Sequence, residues 1–486
     1  MKPLIKLIAY SFFILPVIAD AQSDADALRF SQTSISGTAR FTSMGGAFGA
    51  LGGDFSSLAD NPAGIGIYRK SEFTFSPSLY FANTTSDFLG NSLSENRFNF
   101  NIPNIGFVYT KTMNDDKEGW KSWNFGIGMN RMNNFQTQSY FEGFNPNNSL
   151  LDDFLEKANA HLDSGNLDPF YEQLAVDAQL IYDTTNDGIN NYRKDPQQGI
   201  LQRRSSITQG GISETDISFG GNYNNLVYLG ATVGISSLRY IDESIYEEVD
   251  INGTTPYLNQ YSFEQDVYTH GIGINFKVGL IVRPADWIRI GGAFHTPTSY
   301  SMHDDYNSII RSDLTFGQFT ALSPAGTFDY DLTTPYRAIG SLGFILGKTG
   351  LIGMDYEYVD YSGARFSGPG ASFSPVNDAV RTKYTSASNV RIGAEWRYDN
   401  LSFRAGYAMY GTPFNAGQNV PGADQSKTSI TGGIGLRDKN YFLDLGYAYS
   451  QSTEYLQQYS LLTQDVPGSK NKVETNNFVL TFGVKF

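Results

Sequence analysis

From residue 70 to its end the chain alternates apolar and polar side chains in repeated short runs. Near the C-terminus Phe478, Leu480, Phe482, Val484 and Phe486 share one face, while Asn477, Thr481, Gly483 and Lys485 share the other with Val479. Successive side chains of a strand point to opposite sides, so this segment is a ribbon with one apolar and one polar face. Val390, Ile392, Ala394, Trp396 and Tyr398 stand in the same way against Arg391, Gly393, Glu395, Arg397 and Asp399. Tyr441, Leu443, Leu445, Tyr447 and Tyr449 stand against Asp444, Gly446 and Ser450. The pattern predicts strands near 70–82, 97–112, 121–141, 213–223, 226–240, 258–282, 286–300, 328–346, 349–361, 385–398, 401–411, 427–437, 441–451 and 473–486.

The connections between these strands alternate in length. Short turns fall at 113–119, 222–225, 283–286, 347–350, 399–400 and 437–440, and long loops separate the other pairs. An even-stranded barrel with tight periplasmic turns and long external loops has this alternation, and a soluble sandwich has no reason for it. Trp120 and Trp123 follow the first short turn, Trp287 follows the third and Trp396 precedes the fifth. That is where the periplasmic aromatic girdle of a membrane barrel belongs. The expected fold is therefore all-β, a transmembrane antiparallel β-barrel of about 14 strands in the outer membrane of a Gram-negative bacterium.

Two regions lack the alternation. Residues 22–69 are rich in Gly, Ala and Ser and are long enough to fold back into the lumen as a hatch. In residues 142–212, Leu150, Leu151, Phe154, Leu155 and Ala158, then Phe170, Tyr171, Leu174, Ala175 and Ala178, recur at helical spacing. They predict two short amphipathic helices in an external insertion. An apolar cluster exposed on an external loop needs a partner, so Phe154, Leu155, Phe170, Tyr171 and Leu174 are the candidate ligand-binding residues.

Composition agrees with a barrel. The chain holds 35 Phe, 31 Tyr and 50 Gly with only 17% charged residues, and its mean hydropathy of −0.30 conceals the lipid-facing half of each strand. No cysteine occurs, which excludes thiolate metal sites and a cysteine nucleophile. The formal charge of −14 argues against nucleic acid as a partner. Lys2 and Lys6, an apolar run over residues 7–18 and Ala19-Asp20-Ala21 form a signal peptide at 1–21, with cleavage after Ala21.

Other motifs have plain readings. Gly45, Gly46, Gly49, Gly52 and Gly53 follow no strand and precede no Lys-Ser/Thr, so they suit close packing of a plug rather than a phosphate loop. His161, His270, His295 and His303 show no metal-ligand spacing. His295, near Thr296 and Ser299, is the best of them for a catalytic group, but a satisfied wall histidine is the simpler account. Asp183, Asn186, Asp187 and Gly188 resemble part of a calcium loop, yet Lys194 stands where its bidentate Glu belongs. Arg391, Glu395, Arg397, Arg404 and Asp444 point inward, either to line a path or to fix the hatch. No enzyme chemistry, metal site or cofactor is expected.

The stretch Ser43-Met44-Gly45-Gly46-Ala47-Phe48 and the stretch Leu58-Ala59-Asp60-Asn61-Pro62-Ala63-Gly64, leading into Phe73 and Phe75, resemble the FadL/TodX family of outer-membrane transporters of hydrophobic compounds. The resemblance implies a fourteen-stranded barrel over 70–486 whose hatch is 22–69. It implies diffusion-driven uptake of long-chain fatty acids, aromatic hydrocarbons or similar small molecules, without an energy-coupling partner. Asn61, Pro62, Ala63 and Gly64 then become the gating hatch residues, on a turn that the same residue types would also make for purely structural reasons. The closing strand ending in Phe486 looks like the signal read by the barrel-insertion machinery. The expected partners are that machinery, outer-membrane lipid and a hydrophobic small-molecule ligand. Related barrels are labelled haemin receptors or serve protein secretion as accessory barrels, so both roles stand as alternatives.

Overall fold

The computed structural model describes residues 23–113, 118–160, 167–184, 191–197, 199–369, 371–416 and 425–486. The signal peptide, His161 and most of the calcium-like motif lie outside them.

Fourteen strands follow one another up and down: β1 (Glu72–Phe88), β2 (Asn91–Thr112), β3 (Trp120–Asn134 and Thr137–Asn145), β4 (Ile200–Tyr223), β5 (Val227–Val249), β6 (Leu258–Ala285) and β7 (Ile288–His295 and Ser299–Leu314). They continue as β8 (Gly326–Thr333 and Arg337–Leu346), β9 (Gly350–Asp360), β10 (Ser386–Tyr398), β11 (Leu401–Tyr410), β12 (Lys427–Arg437), β13 (Tyr441–Leu456) and β14 (Ser469–Lys485). Neighbours pair antiparallel, and β14 closes on β1 from Glu72↔Lys485 to Asp87↔Lys470. Ser71 and Phe486 exchange backbone hydrogen bonds just beyond that ladder, and the Phe486 ring stacks on Phe107. Closure of β14 on β1 leaves no free edge where the sheet begins and ends, as a wall in hydrocarbon requires.

The alternation read from the sequence is the alternation of the wall. Phe478, Leu480 and Phe482 face outward while Val479, Thr481 and Gly483 are buried. Trp287 and Trp396 are exposed at the tight-turn end. In one of those turns, Asn224–Leu226, Asn224 and Asn225 both have positive φ, the hand that follows the twist of the flanking strands.

The strands rise higher at the external end than the periodicity indicates. In place of a long loop between the first two strands, β1 and β2 run on to a tight turn at Leu89-Gly90. β3 extends to Asn145, β4 begins at Ile200 and β5 reaches Val249. Above the lipid belt both strand faces are largely polar, as in Thr84, Thr85 and Asp87 opposite Glu95, Ser94 and Ser92, so periodicity fades although the ladder continues.

Residues 23–69 lie within the lumen as α1 (Asp24–Ser31), α2 (Ala39–Ser43) and two 3₁₀ turns, Phe55–Ala59 and Pro62–Ile67. Above the barrel, α3 (Leu150–Ala160) and α4 (Glu172–Asp177) form the helical cap that the spacing of Leu150 to Ala178 predicts. A further helix, α5 (Ser374–Lys383), lies between β9 and β10.

Candidate functional site

The hatch touches the wall through glycine. A Cβ on Gly353 would lie 2.1 Å from the Ala47 carbonyl oxygen, one on Gly393 2.2 Å from that of Met44, and one on Gly230 2.2 Å from that of Pro62. On Gly291 it would come within 2.7 Å of the Gly49 oxygen, and on Gly406 within 2.4 Å of the Gly45 nitrogen. The inward glycines of β5, β7, β9, β10 and β11 thus form a seat for hatch backbone. Within the hatch, Gly45, Gly46, Gly52 and Gly53 adopt positive φ, where other residues would be strained.

Buried ions fix the hatch in that seat. Arg40 of α2 meets Glu395 at 2.8 Å; Glu395 also holds Arg404 at 2.7 Å, and Arg404 reaches Asp444 at 2.8 Å. Arg397 pairs with the other oxygen of Glu395 at 2.6 Å. A second group surrounds Asp60, which pairs with Arg391 at 3.0 Å. The Asp355 carboxylate accepts from the Phe48 and Gly49 amides at 3.0 Å each, Lys277 donates to the Ala59 carbonyl at 3.1 Å, and a His295 ring nitrogen lies 2.7 Å from the Asp60 carbonyl. The inward charges therefore fix the hatch, and His295 is a wall histidine occupied by it. Burial pushes the Asp60 carboxyl up to about 6, against the opposing pull of Arg391.

Asn61, Pro62, Ala63 and Gly64 sit at the centre of this contact. Asn61 is 1% exposed; its amide donates to the Gly49 carbonyl at 2.6 Å and to that of Leu280 at 3.3 Å, while its oxygen accepts from the Ala63 amide. It caps the 3₁₀ turn that Pro62 opens. Gly64 is not at positive φ; it is small because a Cβ there would meet Ser57 Oγ at 2.9 Å and Gly52 Cα at 3.1 Å. The turn locks hatch to hatch and hatch to β6.

Above the seat the lumen changes character. The apolar residues of α1, Ala27, Leu28 and Phe30, are embedded in a ring that includes Phe135, Tyr240, Tyr300, Leu332, Phe366 and Tyr384. Asp24 anchors the helix to Lys383 of α5 at 2.8 Å and to the Tyr384 hydroxyl at 2.9 Å. Between α1 and the rest of the hatch lies a cavity of about 90 Å³ whose lining includes Asp60, Glu214, Lys277, His295 and Arg391 beside apolar residues such as Phe30 and Ile212.

The wall itself is incomplete on one side. β2 pairs with β3 only from Asn104↔Asn130 down to Thr112↔Ser122, although β1 holds β2 all the way up to Asn91. β3 bulges between Arg131 and Asn133, breaks after Asn134, and continues along β4 rather than β2. The strands meet again only at the top, where Asn91 donates to the Glu142 carbonyl at 2.8 Å and Gln138 bonds Glu95 at 3.2 Å. Between these limits is a gap beside the exposed side chains of Phe98, Phe100 and Ile102.

The external cap has its own apolar core. Phe154 and Leu174 are buried to 0% and 1% exposure, and Phe154 packs against Tyr171 and Phe263; Leu155, Phe170 and Tyr171 are half-buried. The cluster expected to be exposed is instead partnered by the barrel rim, with Phe88, Phe141, Tyr246 and Tyr261. At its base, Glu248 of β5 accepts from Ser149 Oγ, the Leu150 amide at 2.9 Å, Gln202 at 2.9 Å and the hydroxyls of Tyr246 at 3.0 Å and Tyr261 at 2.7 Å. This carboxylate also faces the N-terminus of α3, where negative charge is favoured. The apolar surface left open outside is a groove of about 180 Å³ lined by Leu180, Tyr182, Tyr257, Leu258, Leu314 and Phe316. Sequence spacing could not find it, because its residues come from three separate segments of the chain.

His270 and His303 face each other across β6 and β7 with ring centroids 5.1 Å apart, and no metal-holding group occurs among the described residues.

A closed fourteen-stranded barrel with lipid-facing apolar alternation and a lumenal N-terminal hatch defines the class: an outer-membrane β-barrel of plugged type. No family model and no curated protein matches the sequence. Among solved structures, the chain has the fold of a Pseudomonas aeruginosa FadL homologue, with a TM-score of 0.57 at 12% identity over 94% of this chain and 100% of that one. It is similar also to the Pseudomonas putida toluene transporter TodX, with a TM-score of 0.54 at 13% identity over 93% and 99%. The CymD monoaromatic hydrocarbon channel matches with a TM-score of 0.50 at 12% identity over 93% and 98%. The FadL/TodX resemblance in the hatch motifs is thus matched by the fold of the whole barrel.

Proposed function

We propose that the protein is a passive outer-membrane channel for hydrophobic small molecules. A molecule is captured in the external groove, passes into the aromatic ring now filled by α1, and leaves when α1 and the hatch shift. The observation that carries this reading is the break between β2 and β3. An ordinary pore needs an axial path, whereas a gap in the wall beside lipid serves a cargo that is more soluble in hydrocarbon than in water. The likeness in fold to a FadL homologue and to TodX supports the same reading. A haem receptor would need two axial ligands on opposite sides of one pocket, and the His270 and His303 rings are too close to admit a porphyrin between them.

The absence of native cysteine makes the gap directly testable. Cysteines placed at Asn99 and Gln136 and joined by a short bismaleimide should abolish uptake of radiolabelled dodecanoate by cells, while the unjoined variant takes it up as the parent does. Undiminished uptake through the joined barrel would refute the lateral route.

A further inference from the structure

The rim of tight turns at the periplasmic end is not evenly charged. Where the barrel closes, Lys439 stands in the β12–β13 turn, Arg69 and Lys70 lead into β1, and Lys111 stands at the foot of β2. All four are exposed and none forms an ion pair among the described residues; Lys70 reaches a neutral partner, the Asn440 side chain, at 3.3 Å. They make one patch. The Lys485 amide donates to the Asn440 carbonyl at 2.7 Å, Ser71 and Phe486 exchange backbone hydrogen bonds, and Thr110 Oγ1 donates to the Lys70 carbonyl at 3.1 Å. These bonds join the cations into an arc across β13, β14, β1 and β2. Asp438 and, before β3, Glu118 are the exposed carboxylates beside it among the described residues. On the opposite rim the charges balance. Arg283 pairs with Asp286 at 2.5 Å, Arg397 pairs with Glu395 at 2.6 Å, and Lys348 is matched by Asp399 two turns away in sequence order.

The layer directly above the arc is aromatic. Tyr441, Phe486 and Tyr109 are exposed on the lipid-facing side, and the Phe107 ring stacks on Phe486. Lys111 lies on the same side of β2 as Tyr109, two residues nearer the periplasm. Rings at the hydrocarbon boundary with cations just beyond them match a phospholipid, whose acyl chains and phosphate lie at those two heights. A soluble acidic partner would instead need cations spread across the mouth of the barrel. The chain as a whole carries −14, so the excess of positive charge is local to the arc, and it selects an anionic lipid over a zwitterionic one. We propose that Arg69, Lys70, Lys111 and Lys439 hold the phosphate of an anionic phospholipid, of the phosphatidylglycerol class, in the periplasmic leaflet at the seam where β14 meets β1. The site belongs to the outer wall and is independent of what the lumen carries.

Quenching of tryptophan fluorescence by brominated lipids compares the two sides of one barrel. In phosphatidylcholine vesicles, a W287F/W396F variant reports from Trp120 and Trp123, the latter the cross-strand partner of Lys111, and a W120F/W123F variant reports from the opposite rim. Brominated phosphatidylglycerol should compete about tenfold better than brominated phosphatidylcholine at Trp120 and Trp123, and about equally at Trp287 and Trp396. Adding R69Q/K70Q/K111Q/K439Q should remove the preference, and K70R/K111R/K439R should keep it. Quenching by brominated phosphatidylcholine should be the same in every variant, because the substitutions are at exposed positions and leave insertion intact. A preference equal on both sides, a preference on neither, or one that survives the four substitutions would overturn the site. Soluble glycerol phosphate that abolishes the preference at millimolar concentration would assign the cations to a free anion and overturn it too.

Discussion

At the periplasmic end, residues 39–69 fill the lumen with backbone seated on wall glycines and tied by buried ions, whereas at the external end α3 and α4 cover the mouth through an apolar core. Burial of apolar surface is non-directional and tolerates small displacements. The hatch contacts are directional: Asn61 bonds Gly49 and Leu280, Asp355 bonds two amides, and Pro62 fits a notch left by Gly230. A shift of an ångström or two breaks many of them at once, and the freed groups can be rehydrated by the lumen. The cap is thus built to hold together, and the hatch to occupy one position or leave it.

The largest effect is expected where an apolar core is charged. Phe154→Asp with Leu174→Asp places two carboxylates at fully buried positions, each costing on the order of 3 kcal/mol or more. The cap should unfold and be cut by protease within 146–199, while the barrel below keeps its resistance to SDS because its ladder is self-contained. A cap that stays protease-resistant would show that Glu248 and its five donors hold it without the core.

Next comes the hatch seat. Gly353→Val or Gly393→Val drives a side chain into the carbonyl of Ala47 or Met44, and overpacking of this kind costs about 1–3 kcal/mol. The barrel should still insert, but the hatch should be displaced and single-channel conductance should rise. Conductance equal to that of the parent would mean that something other than the hatch seals the lumen. A milder lesion, Pro62→Ala with Gly64→Ala, costs about 1 kcal/mol per site. It should raise the frequency of brief openings rather than their size, and planar-bilayer recording distinguishes these outcomes.

The wall was legible because lipid on one side and a polar lumen on the other impose period two on every strand. Legibility ended where that contrast ends. The hairpin from Asn83 to Asn96 carries no apolar stripe although it is fully paired, and the same holds for the start of β4. In the candidate site, the glycines of the hatch were readable as close packing, but their partners in the wall were not, since Gly230 or Gly353 looks like any lumen-facing residue. The spacing of Phe154 and Leu174 gave the helices correctly and the exposure wrongly, because periodicity identifies an apolar face without saying what covers it. The wall gap could not be read at all. It is a missing pairing, and its local sign, the Arg131-Met132 interruption in β3, resembles an ordinary bulge.

The smallest expected effect tests whether the hatch differs from the cap in its response to pH. Asp60 is held about 6 in the docked hatch, chiefly by burial, with Asp355 and Glu357 raising it further and Arg391 and Lys277 opposing. In a released hatch the same carboxyl would return to about 3.9. A group whose docked value is the higher one takes up a proton on docking, so the docked state gains stability as pH falls through 6 toward 4 and loses it as pH rises. Loss of the Arg391 ion pair on acidification suggests the opposite sign, but desolvation outweighs that pair here. Between pH 6 and pH 7 the change is under about 0.5 kcal/mol, or roughly twofold in the population of the released state. Single-channel openings of the parent should therefore be about twice as frequent at pH 7 as at pH 6, and Asp60→Asn should flatten the dependence while leaving the cap as resistant to protease as before. Openings that become more frequent in acid, or a slope that survives Asp60→Asn, would place the controlling proton elsewhere.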